Sequence, residues 1–154
     1  MKITILKACL IGILTAFSIS AYSGPATSDY DKVVKEYINS HMNGDYKTLR
    51  RIMNDDATFN IPRAEKVIVQ DKSDIVKAMK QVGGIKQNCE YTYEVVAKSS
   101  ALVMVRVDFR YDNCVQQNFL VLEKNDKEWQ IAQVYKIFND KEPEMDAPKV
   151  IANN

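Results

Sequence analysis

No set of residues in this chain announces a reaction by its spacing, and the candidates for acid–base or donor chemistry are scattered along it. His41 is the sole histidine. An imidazole titrates near neutrality and can serve as acid, base or hydrogen-bond partner. Tyr37 lies one helical turn before it, so the two share a face if this stretch is a helix. Further on, Tyr91, Tyr93, Asn118, Gln133 and Tyr135 supply phenol and amide groups able to hold a small molecule. A lone histidine without clustered carboxylates or thiolates is a poor metal site, so no metal is expected. His41 also has a simpler reading, as a helix-end residue that packs its ring and caps carbonyls. Tyrosines at alternate strand positions also serve as plain core.

The elements that must position these groups lie in the second half. Asn88–Ala97, Ala101–Asp112, Cys114–Lys124 and Glu128–Phe138 alternate apolar and polar residues and are rich in Val, Ile, Tyr and Phe, the pattern of strands. The linkers are too short for parallel crossovers, so the four strands form an antiparallel meander. Register follows from turn arithmetic. Centring the first turn on Ser99 sets Val95 opposite Val103 and Tyr91 opposite Val107. The second turn sets Val107 opposite Asn118 and Val103 opposite Leu122. The third sets Leu122 opposite Ile131, Leu120 opposite Gln133 and Asn118 opposite Tyr135. Opposed residues share a face. One face then carries Tyr91, Tyr93, Val95, Val103, Val105, Val107, Phe109, Leu120, Leu122, Trp129, Ile131 and Ile137, with Asn118, Gln133 and Tyr135 among them. Polar groups on a covered face either satisfy one another or line a wet cavity. The other face mixes charges, Lys136 included, with Met104, Phe119, Val121 and Val134, an apolar set able to pair with a second subunit.

Ahead of the meander, Asp29–Met42 reads as a helix capped by Ser28, with Tyr30, Val33, Val34, Tyr37, Ile38 and His41 on one side. Gly44 suits a left-handed cap, and Asp45 caps a shorter helix, Tyr46–Met53. Ala57–Ile61 and Lys66–Gln70 are short strands. Ser73 or Asp74 caps a third helix reaching Val82. Helices first and a long meander afterwards is α+β architecture. Three short helices leave part of such a sheet uncovered, and a pocket is expected there.

Residues 1–23 read as a secretory signal peptide: Lys2 and Lys7, then the apolar run Ala8–Ile19, then small residues offering cleavage after Ser20, Ala21 or Ser23. Residues 24–139 are then one domain and 140–154 a tail. The expected location is periplasmic or secreted, with no stable membrane anchor after cleavage. Loss of the two lysines takes the formal charge from +1 to −1. Nucleic acid calls for a basic patch, so it is excluded as a partner. In an oxidising compartment Cys89 and Cys114 are a candidate disulfide. The register sets a strand between them, however, and two strand spacings of about 4.8 Å exceed the roughly 7 Å Cα limit.

The segment Tyr37–Phe59, YINSHMNGDYKTLRRIMNDDATF, resembles the opening of nuclear transport factor 2-like domains. Ala101–Phe138 resembles their closing strands, above all those of a lumazine-binding-like subgroup, through Val105–Phe109, Leu122–Trp129 and Ile131–Phe138. The resemblance implies a cone-shaped curved antiparallel sheet covered by N-terminal helices, a hydrophobic pocket between them, and dimers paired through the outer sheet face. The superfamily includes ketosteroid isomerases, polyketide cyclases, limonene epoxide hydrolases and many binders, so the fold does not fix a function. The subgroup's name points to lumazine or flavin by similarity alone. An isomerase of this fold needs an inward carboxylate. None emerges: Asp108 falls on the outer face, and Asp55 and Asp56 fall in a turn.

These readings converge on an exported domain that binds a small, partly apolar molecule through Tyr37, His41, Tyr91, Tyr93, Asn118, Gln133 and Tyr135, with no cofactor and no assigned catalytic residue. One alternative is a cofactor-free isomerase, cyclase or hydratase using His41 and a pocket tyrosine. Another is an interaction module, a homodimer through Met104, Phe119, Val121 and Val134.

Overall fold

Amphipathic periodicity in the first third and alternation in the last third each need a partner surface, and they supply it to one another. The computed structural model describes residues 29–126 and 128–140. The leader, the Ser28 cap and all but the first residue of the tail lie outside that range. Helix α1 (Asp29–Asn43) and helix α2 (Tyr46–Ile52) are followed by β1 (Met53–Arg63), β2 (Lys66–Asp71), helix α3 (Lys72–Val82) and four strands, β3 (Glu90–Lys98), β4 (Leu102–Arg110), β5 (Cys114–Asn125) and β6 (Glu128–Asp140). The sheet order is β2-β1-β6-β5-β4-β3. The meander is antiparallel throughout, while β1 joins β6 in parallel. The long excursion through β2 and α3 and the whole meander separates those two strands in sequence, which a parallel pairing requires.

One core lies between the helices and one face of the sheet. Val33, Val34, Tyr37 and Ile38 of α1 meet Val103, Val105, Val107 and Phe109 of β4 and Leu120 and Leu122 of β5. Helix α3 is looser: none of its side chains is buried, and Val82 is well exposed. Its cap is Asp71, whose carboxylate accepts from the Asp74 amide at 3.0 Å, rather than Ser73 or Asp74. Between α1 and α2 the chain turns through Gly44 at φ +64°, where an added Cβ would sit 3.1 Å from the Gly84 amide nitrogen.

Asp45 starts α2 by accepting from the amides of Lys47 and Thr48, each at 3.1 Å, and from the Thr48 hydroxyl at 2.7 Å. Asp45→Ala strands those donors. A cost of about 1 kcal/mol in urea unfolding is expected.

Two irregularities set the register. The first turn lies further along than the expected centre on Ser99, with Lys98 opposite Val103, and a bulge between Val95 and Ala97 takes back one residue, so that Tyr91 pairs with Phe109 and Tyr93 with Val107, a net two residues from the turn-centred expectation. The slip is even, so the tyrosines keep their face. The pairing of β4 with β5 is as the arithmetic gave it, Val107 opposite Asn118 and Val103 opposite Leu122. In β6 a bulge falls at Ala132: Leu122 opposes Ile131 as expected, but Val121 then opposes Gln133, Leu120 opposes Val134 and Asn118 opposes Lys136. One extra residue flips everything beyond it.

Candidate functional site

The flip corrects part of the expected wall. Gln133 and Tyr135 lie on the outer face, exposed and bonded to each other at 3.2 Å. Ile137 goes with them. Val134 turns inward to complete burial, which removes it from the outer apolar set, while Met104, Phe119 and Val121 stay there half-buried. Lys136 also turns inward.

Beneath α1, the concave face holds a closed polar line. Asn118 is fully buried; its amide donates to the Tyr37 hydroxyl at 2.8 Å, and its carbonyl accepts from Gln116 at 3.0 Å. Tyr37 is itself 2% exposed, and burial pushes its phenol well above its usual range. Both Tyr37 and Asn118 therefore sit where the sequence put them, but they spend their hydrogen bonds on each other.

His41 lies at the open end of this line. Its ring stacks on Phe109 with centroids 4.0 Å apart and planes 37° apart. Its Nε2 is 3.0 Å from the Tyr111 hydroxyl, which donates to Gln87 at 3.3 Å. With the phenol proton used on Gln87, Nε2 of His41 carries a hydrogen and donates. Burial, and secondarily the charge of Lys136, holds the imidazole down at about 3. His41 is thus a neutral donor at physiological pH and a poor general base. Tyr111 was missed by the sequence reading, although the alternation Val107, Phe109, Tyr111 continues straight through it.

Cys89 and Cys114 are both free and half-buried. Tyr111 closes the turn before Cys114: its amide donates to the Cys114 carbonyl at 2.9 Å. The strand that the register set between the two cysteines is β4, which pairs with β3 on one side and β5 on the other. Cys89 instead points its thiol at the Met42 sulfur, 3.5 Å away.

A cleft of about 470 Å³ opens between α1 and β3, lined by Lys35, Ile38, Asn39, Met42, Tyr91 and Tyr93. Asp31 ties its two walls together, accepting from Tyr93 at 2.8 Å and pairing with Lys35 at 2.7 Å. Those two bonds hold the Asp31 carboxyl below its usual range. A few polar groups on a mainly apolar lining, in a volume of several hundred Å³, is the usual make-up of a small-molecule site. The sequence located Tyr91 and Tyr93 on this wall but not Lys35, Asn39 or Met42, because the exposed side of α1 gives no signal of what it faces. Asp108 is buried on the outer face, held by two bonds from Arg106 at 3.0 and 2.9 Å. It is not available to the concave side. Asp55 pairs with Lys72 at 3.0 Å.

A family model described as "Putative lumazine-binding" matches residues 26–139. No match was found among curated proteins. Among solved structures, an NTF-2 like protein of unknown function from Silicibacter pomeroyi DSS-3 is 14% identical, with a TM-score of 0.62 over 72% of this chain and 93% of that one. A ketosteroid isomerase-like protein from Erwinia carotovora atroseptica SCRI1043 is 18% identical, with a TM-score of 0.58 over 75% of this chain and 95% of that one. An NTF2-like protein from Cytophaga hutchinsonii ATCC 33406 is 18% identical, with a TM-score of 0.57 over 68% and 91%. At such identities the likeness is one of fold. The match along residues 26–139 shows that the chain belongs to the family described as "Putative lumazine-binding", and its strand order and helix-covered face give it the fold of the NTF2-like structures.

Proposed function

We propose that this protein is exported with a cleaved leader and binds a small, partly apolar molecule in the cleft between α1 and β3. The observation that carries the reading is the cleft's lining: Tyr91 and Tyr93 on the strand, Ile38 and Met42 on the helix, and Asn39 and Lys35 as polar anchors. Flat aromatic or heteroaromatic ligands suit two tyrosines on one strand face. The family description supports a small-molecule ligand and leaves its identity open. Self-pairing through the outer sheet face belongs to the same reading, now resting on Met104, Phe119 and Val121.

Native mass spectrometry of the protein purified from the periplasm of its own source tests this. A retained adduct of a few hundred daltons is expected, lost in Tyr91→Ala, and the protein mass also reports cleavage after Ser20, Ala21 or Ser23. A bare polypeptide mass, with no adduct in any preparation, sinks the binding reading.

An isomerase or cyclase using His41 is the second reading, favoured by the 3.0 Å contact between its Nε2 and the Tyr111 hydroxyl. That pair can polarise a ligand oxygen, but it lacks a base: among the described residues Asp108 is the only buried carboxylate.

A further inference from the structure

Helix α3 packs against α2 and against β1, and the cleft left between them is basic. It holds about 500 Å³. Helical spacing collects its lining. Tyr46 and Arg50 are one turn apart on α2, and Ser73, Val76, Lys77 and Lys80 recur at i, i+3, i+4 and i+7 on α3, so each set shares one helix face. Lys72 enters from the first residue of α3. Its ammonium donates to the Met53 carbonyl at 2.9 Å and to the Asp55 carboxylate at 3.0 Å, which leaves one of its three donors for the cleft. Four cations thus line the cleft against a single carboxylate, Asp55, which Lys72 already neutralises. Among the described residues no ion pair engages Arg50, Lys77 or Lys80. Asp71, at the N-cap of α3, is occupied by the Ser73 hydroxyl at 2.8 Å and the Asp74 amide at 3.0 Å. Like charges one turn apart oppose helix stability. Three uncompensated cations on two neighbouring helices therefore carry a cost that a bound anion relieves. The rest of the lining is less polar: Tyr46 and Val76 are both half-buried there.

We propose that the α2–α3 cleft binds the phosphate of a small phosphomonoester, with the ester's apolar body against Tyr46 and Val76. The Arg50 guanidinium offers planar, paired donors that match two phosphate oxygens. Lys77 and Lys80 add point charges from the neighbouring helix, and Lys72 adds an ammonium already fixed by Met53 and Asp55. A phosphomonoester is a dianion near neutral pH, so it answers several cations at once where a single carboxylate answers one. The volume falls in the range of small-molecule sites. No lining residue is shared with the α1–β3 cleft, so this site stands or falls apart from that one. A free ester and the headgroup of phosphatidic acid present the same chemistry to it.

Equilibrium dialysis with 1-naphthyl phosphate and its neutral counterpart 1-naphthol tests the proposal. In the double variant Arg50→Gln with Lys77→Gln, the phosphate is expected to bind about tenfold more weakly while naphthol stays within about twofold. Arg50→Lys with Lys77→Arg keeps both charges and retains the phosphate within about threefold. Lys66→Gln with Lys124→Gln removes the same charge from two exposed positions off the cleft lining, and leaves phosphate binding within about twofold. Equal losses in the two glutamine pairs overturn the proposal, since net charge alone would then account for them. Unchanged phosphate binding in the Arg50 and Lys77 pair overturns it too, as does a parallel fall for both probes, which would mark lost packing rather than lost charge. So does a native protein that takes up neither naphthyl phosphate nor acidic vesicles. Co-sedimentation with phosphatidylcholine vesicles, with and without phosphatidic acid, separates the two sources. Capture by the acidic vesicles that is lost in the Arg50 and Lys77 pair assigns the site to a lipid headgroup. Binding of naphthyl phosphate without vesicle capture assigns it to a free ester.

Discussion

Asn118→Ala is expected to lower stability by about 3 kcal/mol. Asn118 is fully buried and makes two bonds at once, to Tyr37 at 2.8 Å and from Gln116 at 3.0 Å. Truncation strands a phenol hydroxyl and an amide in a dry layer, each at roughly 1–3 kcal/mol, and leaves a small void besides. A domain of this size has only about 5–15 kcal/mol in hand. Tyr37→Phe removes the phenol that would be stranded. The double variant is therefore expected to fall short of the summed single costs by about 1–2 kcal/mol. Urea midpoints at unchanged slope measure all three. Additive costs would mean that the Tyr37–Asn118 bond contributes nothing specific.

The second large effect is an acid-side loss of stability that runs through His41. Its pKa falls from 6.5 unfolded to about 3 folded, chiefly because burial disfavours the imidazolium. Between those values the unfolded chain takes up a proton that the native protein refuses, so stability falls as pH drops from about 6.5 towards 3. At about 1.4 kcal/mol per pH unit the ceiling is about 5 kcal/mol, and the part-exposed ring brings the expected loss to roughly half of that. His41→Phe keeps the stacking on Phe109 and cannot titrate. Its stability should stay flatter across the same window, apart from the contribution of the carboxylates. Equal slopes for the two proteins, in denaturant melts from pH 7 to pH 4, would refute the assignment.

The sequence made the architecture readable because alternation and short turns leave little freedom. Val107 facing Asn118 and Leu122 facing Ile131 came from counting alone, and both stand in the structure. The first hairpin slipped by two residues without harm, since an even slip preserves faces. The last strand did harm. Strict alternation after Ile131 buries Gln133 and exposes Val134, the reverse of what their polarities favour, and one extra small residue at Ala132 restores agreement. A mismatch between parity and polarity in Ile131–Tyr135 was thus a readable sign of a bulge. The site was less legible. Periodicity located Tyr37 and His41 on the inner side of α1, but hydrogen-bond partners such as Tyr111 and Gln87 depend on how three separate segments meet, which no local pattern encodes. The parallel joining of β1 to β6 was invisible for the same reason.

Strand β3 is the last of the sheet on its side, and all nine of its residues are exposed. It is also one wall of the cleft. The element that would grip a guest is therefore held to the sheet along one edge only, by β4, so doorway and wall are the same strand. No hinged lid is needed: the edge can fray from β4 and reseal around whatever has entered. Capture and local ordering then become one event, and a tighter grip is felt as a stiffer rim.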